Sequence, residues 1–229
     1  MPRWYSPYGM SHTRSGAVLA GILLLGIDGG AQHRIAEWQP LFDGKSLQGW
    51  RETPFTKRGP VRVENGAIVL GAGSPLTGVT WTRDFPRSDY EVRLEAARLD
   101  GGDFFASLTF PVQDSFCTWV MGGWGGDIVG LSSLDGWDAS DNETRSYFNF
   151  EKGRWYALRL QVTGARIMGW IDEQPIVQVD IGGRSVGLRY GEIKLSAPLG
   201  FASYATTGAL RKIEYRVLRP SGGNPGGRM

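Results

Sequence analysis

Two short stretches gather the residues that could do chemistry. "LDGWDASDNETR" (134–145) sets Asp135, Asp138, Asp141, Asn142, Glu143 and Arg145 within eleven residues. Such oxygen density can hold a hard divalent cation such as Ca2+, with Asp135 and Asp138 as the expected ligands. The spacing is not that of an EF-hand, so it names no particular metal. The same stretch puts Glu143 two residues before Arg145. A carboxylate base beside a guanidinium that steadies a developing negative charge is a workable catalytic pair. Upstream, "MGGWGGD" (121–127) rings Trp124 with four glycines and closes on Asp127. Glycines let a backbone approach a ligand closely, and an exposed indole offers a face for a sugar ring. The candidates are therefore Glu143, Arg145 and Asp127 for catalysis, and Trp124, Trp137 and Asn142 for carbohydrate binding. Asp127 or Asp135 would hold a cation or a sugar hydroxyl. Each stretch also has a plainer reading: a glycine-rich strand edge around a core tryptophan, and a solvated acidic loop.

Histidine narrows the chemistry further. The chain has only His12 and His33, both before the main domain. A Ser-His-Asp triad, a Cys-His pair and a His-rich zinc site are therefore excluded from that domain. Cys117 is the sole cysteine, so no internal disulfide exists. The formal charge of +2, without a basic cluster, argues against a nucleic-acid partner. A concanavalin-like glucanase would present Glu-x-Asp-x-x-Glu on one strand, and no such string occurs.

The elements that must position these residues read as strands. "VRVENGAIVL" (61–70) is two runs around Asn65-Gly66, a hairpin signal because both turn positions need positive φ. In "DYEVRLEAARL" (89–99), Tyr90, Val92, Leu94 and Ala96 alternate with Glu91, Arg93 and Glu95. That pattern predicts one buried face and one outer face. Residues 153–181 predict a meander that turns at Thr163-Gly164 and again at Glu173-Gln174. Within it, Tyr156, Leu158, Leu160 and Val162 face the core. Near the end, Ile213, Tyr215 and Val217 alternate with Lys212, Glu214 and Arg216. No stretch shows a helical period of helix length. Many short strands predict an all-β antiparallel sandwich. Arg159, Lys194, Trp155, Trp170 and Cys117 read as strand-face or packing residues, and Asp172 as a turn residue.

The chain ends are separate. "GAVLAGILLLGI" (16–27) is the right length for the apolar part of a secretion signal and short for a membrane span. The expected divisions are 1–31 as signal peptide, 32–37 as linker, 38–219 as the sandwich and 220–229 as a flexible tail. Met10 offers an alternative start, since residues 1–9 do not read as the leading part of a signal. No cysteine follows the apolar run to take a lipid anchor, so a secreted or periplasmic protein without a stable membrane span is expected.

"LFDGKSLQGWR" (41–51), "VENGAIVLG" and "YEVRLEAAR" together resemble the opening of the 3-keto-disaccharide hydrolase family. The resemblance runs from about Trp38 to Leu218. It implies a concanavalin A-like jelly-roll sandwich acting on sugars outside the cytoplasm of bacteria. It further implies cleavage of 3-keto-glycosides. The keto group acidifies the C2 hydrogen, a base removes it and the glycosidic oxygen leaves C1. In this scheme Glu143 would be the base and Arg145 the enolate stabiliser. "GGDFFASLTFPV" (101–112) departs from the family's usual "NSG" segment, so no catalytic residue is carried over there. Asn142-Glu143-Thr144 matches a glycosylation sequon, discounted for a bacterial family. A non-catalytic lectin-like module is the alternative, and a structural laminin-G-like sandwich a third. In "LFDGKSLQGW", Asp43-Gly44 reads as a turn and Leu41, Phe42, Leu47 and Trp50 as core anchors.

Overall fold

The computed structural model describes residues 36–218. The expected signal, its cleavage point, most of the linker and the tail lie outside the described residues. Among the described residues fifteen strands follow one another. They are β1 (Gln39–Pro40), β2 (Trp50–Glu52), β3 (Val61–Glu64), β4 (Ala67–Leu70), β5 (Leu76–Trp81) and β6 (Tyr90–Asp100). Then come β7 (Ser107–Val112), β8 (Ser115–Gly123), β9 (Ile128–Ser132), β10 (Ser146–Tyr147) and β11 (Trp155–Val162). β12 (Arg166–Ile171), β13 (Gln174–Asp180), β14 (Gly200–Tyr204) and β15 (Thr207–Val217) complete the set, with a 3-10 turn at Glu192–Ser196. No helix among the described residues is long and apolar enough to cross a membrane.

The strands form two antiparallel sheets. The first runs β13-β12-β11-β6-β15-β4-β3, with β1 beside β15; the second runs β10-β9-β8-β7-β14-β5-β2. This is a jelly-roll β-sandwich of the concanavalin A-like type. Period-2 alternation builds its core. β6 pairs with β11 so that Val92 meets Leu160 and Leu94 meets Leu158, all buried. The second sheet answers with Leu108, Phe110, Trp119, Met121, Leu131 and Phe201. The opening motif packs as expected: Leu41, Phe42 and Trp50 are buried, and the Trp50 indole donates to the Leu41 carbonyl at 2.8 Å. Asp43 folds back on the Lys45 and Ser46 amides, and these hydrogen bonds lower its pKa.

Turn chemistry sets the register with two adjustments to expectation. Asn65 and Gly66 take φ of 50° and 76°, as a two-residue hairpin requires. The turn expected at Glu173-Gln174 lies one residue earlier. Asp172 and Glu173 carry the positive φ, and Gln174 opens β13. The Asp172 carboxylate accepts from the Ala157 amide at 2.9 Å and fixes the corner. In β15 simple alternation fails at a bulge between Arg211 and Glu214, where Lys212 has φ of 51°. The extra residue lets both Leu210 and Ile213 reach the core.

The outer face of the first sheet is a ladder of ion pairs. Glu91, only 2% exposed, accepts from Arg216 and from Gln161 at 2.9 Å, with Arg159 at 3.4 Å. Glu95 takes Arg211 at 2.7 Å and Lys212 at 2.6 Å, and Arg93 pairs with Glu214 at 2.7 Å. Arginines also cover the tryptophans here. Arg159 lies 3.7 Å over Trp170 and Arg211 lies 3.9 Å over Trp155. Both rings therefore serve packing on this face.

Candidate functional site

The second sheet presents small polar residues on its outer face. Successive inward residues of β7, β8 and β9 are large and apolar, so Ser107, Thr109, Thr118 and Ser132 point the other way. Thr109 and Thr118 bridge neighbouring strands through their hydroxyls at 2.9 Å. Short side chains leave space above the sheet, and loops wall it in. The result is a cleft of about 360 Å³ over Ser107, Thr118, Val120 and Ser132. Trp124, Asp103 and Phe104 form one side, with Arg189, Tyr190 and Glu192 contributed by the 182–198 segment. An apolar cluster of Phe55, Leu76 and Ala202, with Ile193 and Leu195 against it, closes the adjoining end.

Of the residues expected to bind a sugar, the cleft lining includes Trp124. It lines the cleft, is 39% exposed and has φ of 50°. A bulky residue in the left-handed region is uncommon and needs surrounding structure to hold it. Arg189 lies 5.6 Å from its ring centre. Asp103 stands at the start of the neighbouring loop. One carboxylate oxygen accepts from the Phe104 amide at 2.8 Å, and the other takes only a long contact from the Gly125 amide at 3.3 Å. Glu192 has both oxygens committed to the Thr56 amide, at 3.2 and 3.1 Å, and one also to the Thr56 hydroxyl at 2.5 Å.

In the acidic loop the carboxylates pair with arginines of the 182–198 segment. Glu143 is bound to Arg184, and Arg145 instead donates to the Ser140 carbonyl at 2.8 Å. Asp135 accepts from Arg184 at 2.7 Å and from the Ser185 amide at 2.8 Å. Asp138 accepts from Arg189 at 2.9 Å and from Ser133 at 3.1 Å. So Asp135 and Asp138, the expected cation ligands, each answer to a different arginine. Among the described residues, no group of three or more His, Cys, Asp or Glu side chains is placed to hold a metal ion. Asn142 spends its amide on the Leu131 and Trp137 carbonyls at 2.8 and 3.0 Å, and its oxygen on Thr144. Trp137 is 62% exposed, and it lies outside the cleft lining together with Asp127, Asn142, Glu143 and Arg145. The loop is thus a socket for two arginines of the 182–198 segment, and the second of these reaches the cleft.

That socket responds to acid. Arg184 lowers the pKa of Glu143, and the Ser185 amide followed by Arg184 lowers that of Asp135. A depressed carboxylate stabilises the fold above its unfolded value and loses that contribution as pH falls through the folded value. The protection factors of the 184–187 amides, which remove the intrinsic pH dependence of exchange, should therefore be high near neutrality and fall only in acid, as the two lowered carboxylates protonate below their ordinary range. Protection factors unchanged from neutrality into strong acid would show that the arginine contacts do not hold the segment.

Asp103, Arg189, Tyr190 and Glu192 escaped the sequence reading. A usable signal did exist: Asp103 follows the Gly101-Gly102 pair, a turn signal that places its carboxylate in a loop.

Solved structures of known proteins share this architecture. A glycosyl hydrolase-like protein of Parabacteroides distasonis ATCC 8503 aligns at a TM-score of 0.52 and 11% identity, covering 80% of this chain and 94% of that one. The carbohydrate recognition domain of Emp47p aligns at 0.53 and 10% identity, covering 83% and 100%. The Crh5 transglycosylase aligns at 0.52 and 12% identity, covering 80% and 84%. At such identities the likeness is one of fold. No curated protein sequence matches the chain. The 3-keto-alpha-glucoside-1,2-lyase-like domain, by contrast, matches residues 37–216. That span takes in the whole sandwich and both sides of the cleft, and the chain belongs to the 3-keto-alpha-glucoside-1,2-lyase-like family.

Proposed function

We propose that the protein cleaves 3-keto-glycosides in the Trp124 cleft. One observation carries the reading: a lightly held carboxylate, a guanidinium and an indole line the same hydroxyl-floored space. The ring would lie against Trp124. Asp103 would take the proton from C2, whose acidity comes from the neighbouring keto group. The electron pair moves to the C3 oxygen beside Arg189. As it returns, the C1–O bond breaks and the alcohol leaves with a proton from the protonated Asp103. The product is a 1,2-unsaturated 3-keto sugar, which water can add to. The role of base thus passes from Glu143 to Asp103, because Glu143 is committed to Arg184 outside the cleft. Work outside the cytoplasm rests on the apolar run at 16–27.

Incubation with methyl 3-keto-α-glucoside tests the reaction directly. Methanol should appear together with the ultraviolet absorbance of the conjugated enone. Intact sugar over a folded sample would reject the lyase. The second reading is a lectin-like module, favoured by Glu192 having both oxygens committed and so leaving a single lightly held cleft carboxylate. It predicts binding without turnover. Both readings need the indole, so Trp124→Ala should weaken binding by about tenfold to a hundredfold, as loss of a central tryptophan contact does. Calorimetry that gives the same Kd for W124A and the parent would remove the cleft from either reading.

A further inference from the structure

We propose that Arg98 is the positioning residue that fixes the Trp124 loop and, through it, ligand binding. The inference rests on the cleft being a sugar site. Arg98 lies on β6, only 7% exposed, behind the loop. Its Nη2 donates to the Gly126 carbonyl at 2.6 Å and reaches the Gly122 carbonyl at 3.4 Å. The rings of Phe105 and Phe150 flank the guanidinium at 5.3 and 5.7 Å. No carboxylate among the described residues pairs with it directly. Asp103 and Asp127 act on it only through space, and burial lowers its pKa. Its Nε has no partner. Burying a cation without a paired anion is costly, and here Nη2 alone donates, to the backbone of one loop.

The glycines of "MGGWGGD" fit this arginine. A Cβ on Gly122 would stand 2.4 Å from Arg98 Nη2, and one on Gly126 would stand 2.9 Å from the Gly102 carbonyl and 3.3 Å from Nη1. Gly125 meanwhile donates to Asp103. The loop is thus held from behind by Arg98 and from the cleft side by Asp103. Trp124 sits between these holds in its left-handed conformation. Glycine at 122 and 126 serves the close approach of an internal cation. The approach of a ligand falls to the tryptophan.

Two measurements on the full chain test this, using Arg98→Met, Arg98→Lys and W124A. The first is amide hydrogen exchange without ligand. R98M should speed exchange across 122–127 about tenfold or more, while core strands keep their protection. R98K should fall between, because the lysine keeps a buried cation but loses the planar guanidinium that Phe105 and Phe150 flank. The second is the Kd for methyl 3-keto-α-glucoside. R98M should weaken it about tenfold, and R98M/W124A should bind no worse than W124A alone, since Arg98 acts through that indole. Additive losses, or wild-type exchange at 122–127 in R98M, would overturn the proposal. Should R98M fail to fold, R98K gives both readings, and wild-type behaviour in it overturns the proposal equally. A W124A protein that binds normally would sink the sugar reading, while the exchange data still judge Arg98.

Discussion

Asp103→Asn will lower kcat on methyl 3-keto-α-glucoside by roughly 10²- to 10⁴-fold, the usual contribution of a positioned general base. KM should move by no more than a few-fold. Asparagine keeps the shape of the side chain, and its carbonyl oxygen can still accept from the Phe104 amide, now bonded at 2.8 Å. The bond from Phe104 therefore survives, while the proton acceptor and the long 3.3 Å contact from the Gly125 amide are lost. A loss confined to kcat is the mark of an interaction made in the transition state. The contrast is Glu143→Gln. Glu143 stands outside the cleft against Arg184, so this change should leave kcat within about threefold, far below a base's contribution. Should E143Q lose activity and D103N keep it, the base is Glu143 and the cleft assignment falls.

The largest expected effect on stability comes from the other sheet. Glu91→Ala should destabilise the protein by about 3 kcal/mol, the lower end of the cost of breaking a buried pair. For a chain of this size that is a fall of roughly 6–12 °C in Tm. Glu91 is 2% exposed, and it is the shared acceptor of Arg216, Arg159 and Gln161. Removing it leaves two guanidiniums, 22% and 26% exposed, facing a vacated site. Their partial access to water keeps the cost at the low end. Leucine at this position should not restore stability, because both arginines remain. Glu214→Ala serves as the control. Its partner Arg93 is 45% exposed, so that pair contributes under about 1 kcal/mol. Thermal unfolding followed by circular dichroism decides the matter. Equal losses in E91A and E214A would mean that burial of Glu91 does not set its contribution.

The fold was legible because alternation and turn chemistry state it twice. Tyr90 to Ala96 on β6 and Tyr156 to Val162 on β11 each write one buried face, and Asn65-Gly66 names its own turn. Legibility failed where an extra residue broke the period, as at Lys212, and where two adjacent residues could each serve a turn, as at Asp172 and Glu173. The site was harder to read for a physical reason. Sequence proximity drew attention to Glu143 and Arg145, but Arg184 arrives from some forty residues further on and claims Glu143, and Arg189 from some fifty residues on claims Asp138. β7 also gave no usable contrast. It is buried on both faces, so Ser107 and Thr109 read as ordinary strand residues and not as the floor of a cleft. Trp124 was found because its ring of glycines is local. Asp103 was not, because its partner loop begins some twenty residues away.

The Asn142 carboxamide has a practical consequence for making the protein. In the folded chain both hydrogens of its amide are used, on Leu131 and Trp137, and Thr144 closes the turn. The tripeptide Asn142-Glu143-Thr144 is nevertheless a glycan acceptor for any cell that modifies nascent chains in its secretory pathway. There the enzyme meets the tripeptide before the loop has closed. A glycan would replace one of the two hydrogens and force its bulk into the turn. Yeast or insect secretion would therefore yield a heavier product whose 134–145 loop cannot form its socket for Arg184. Bacterial production avoids the modification and leaves both hydrogens in place.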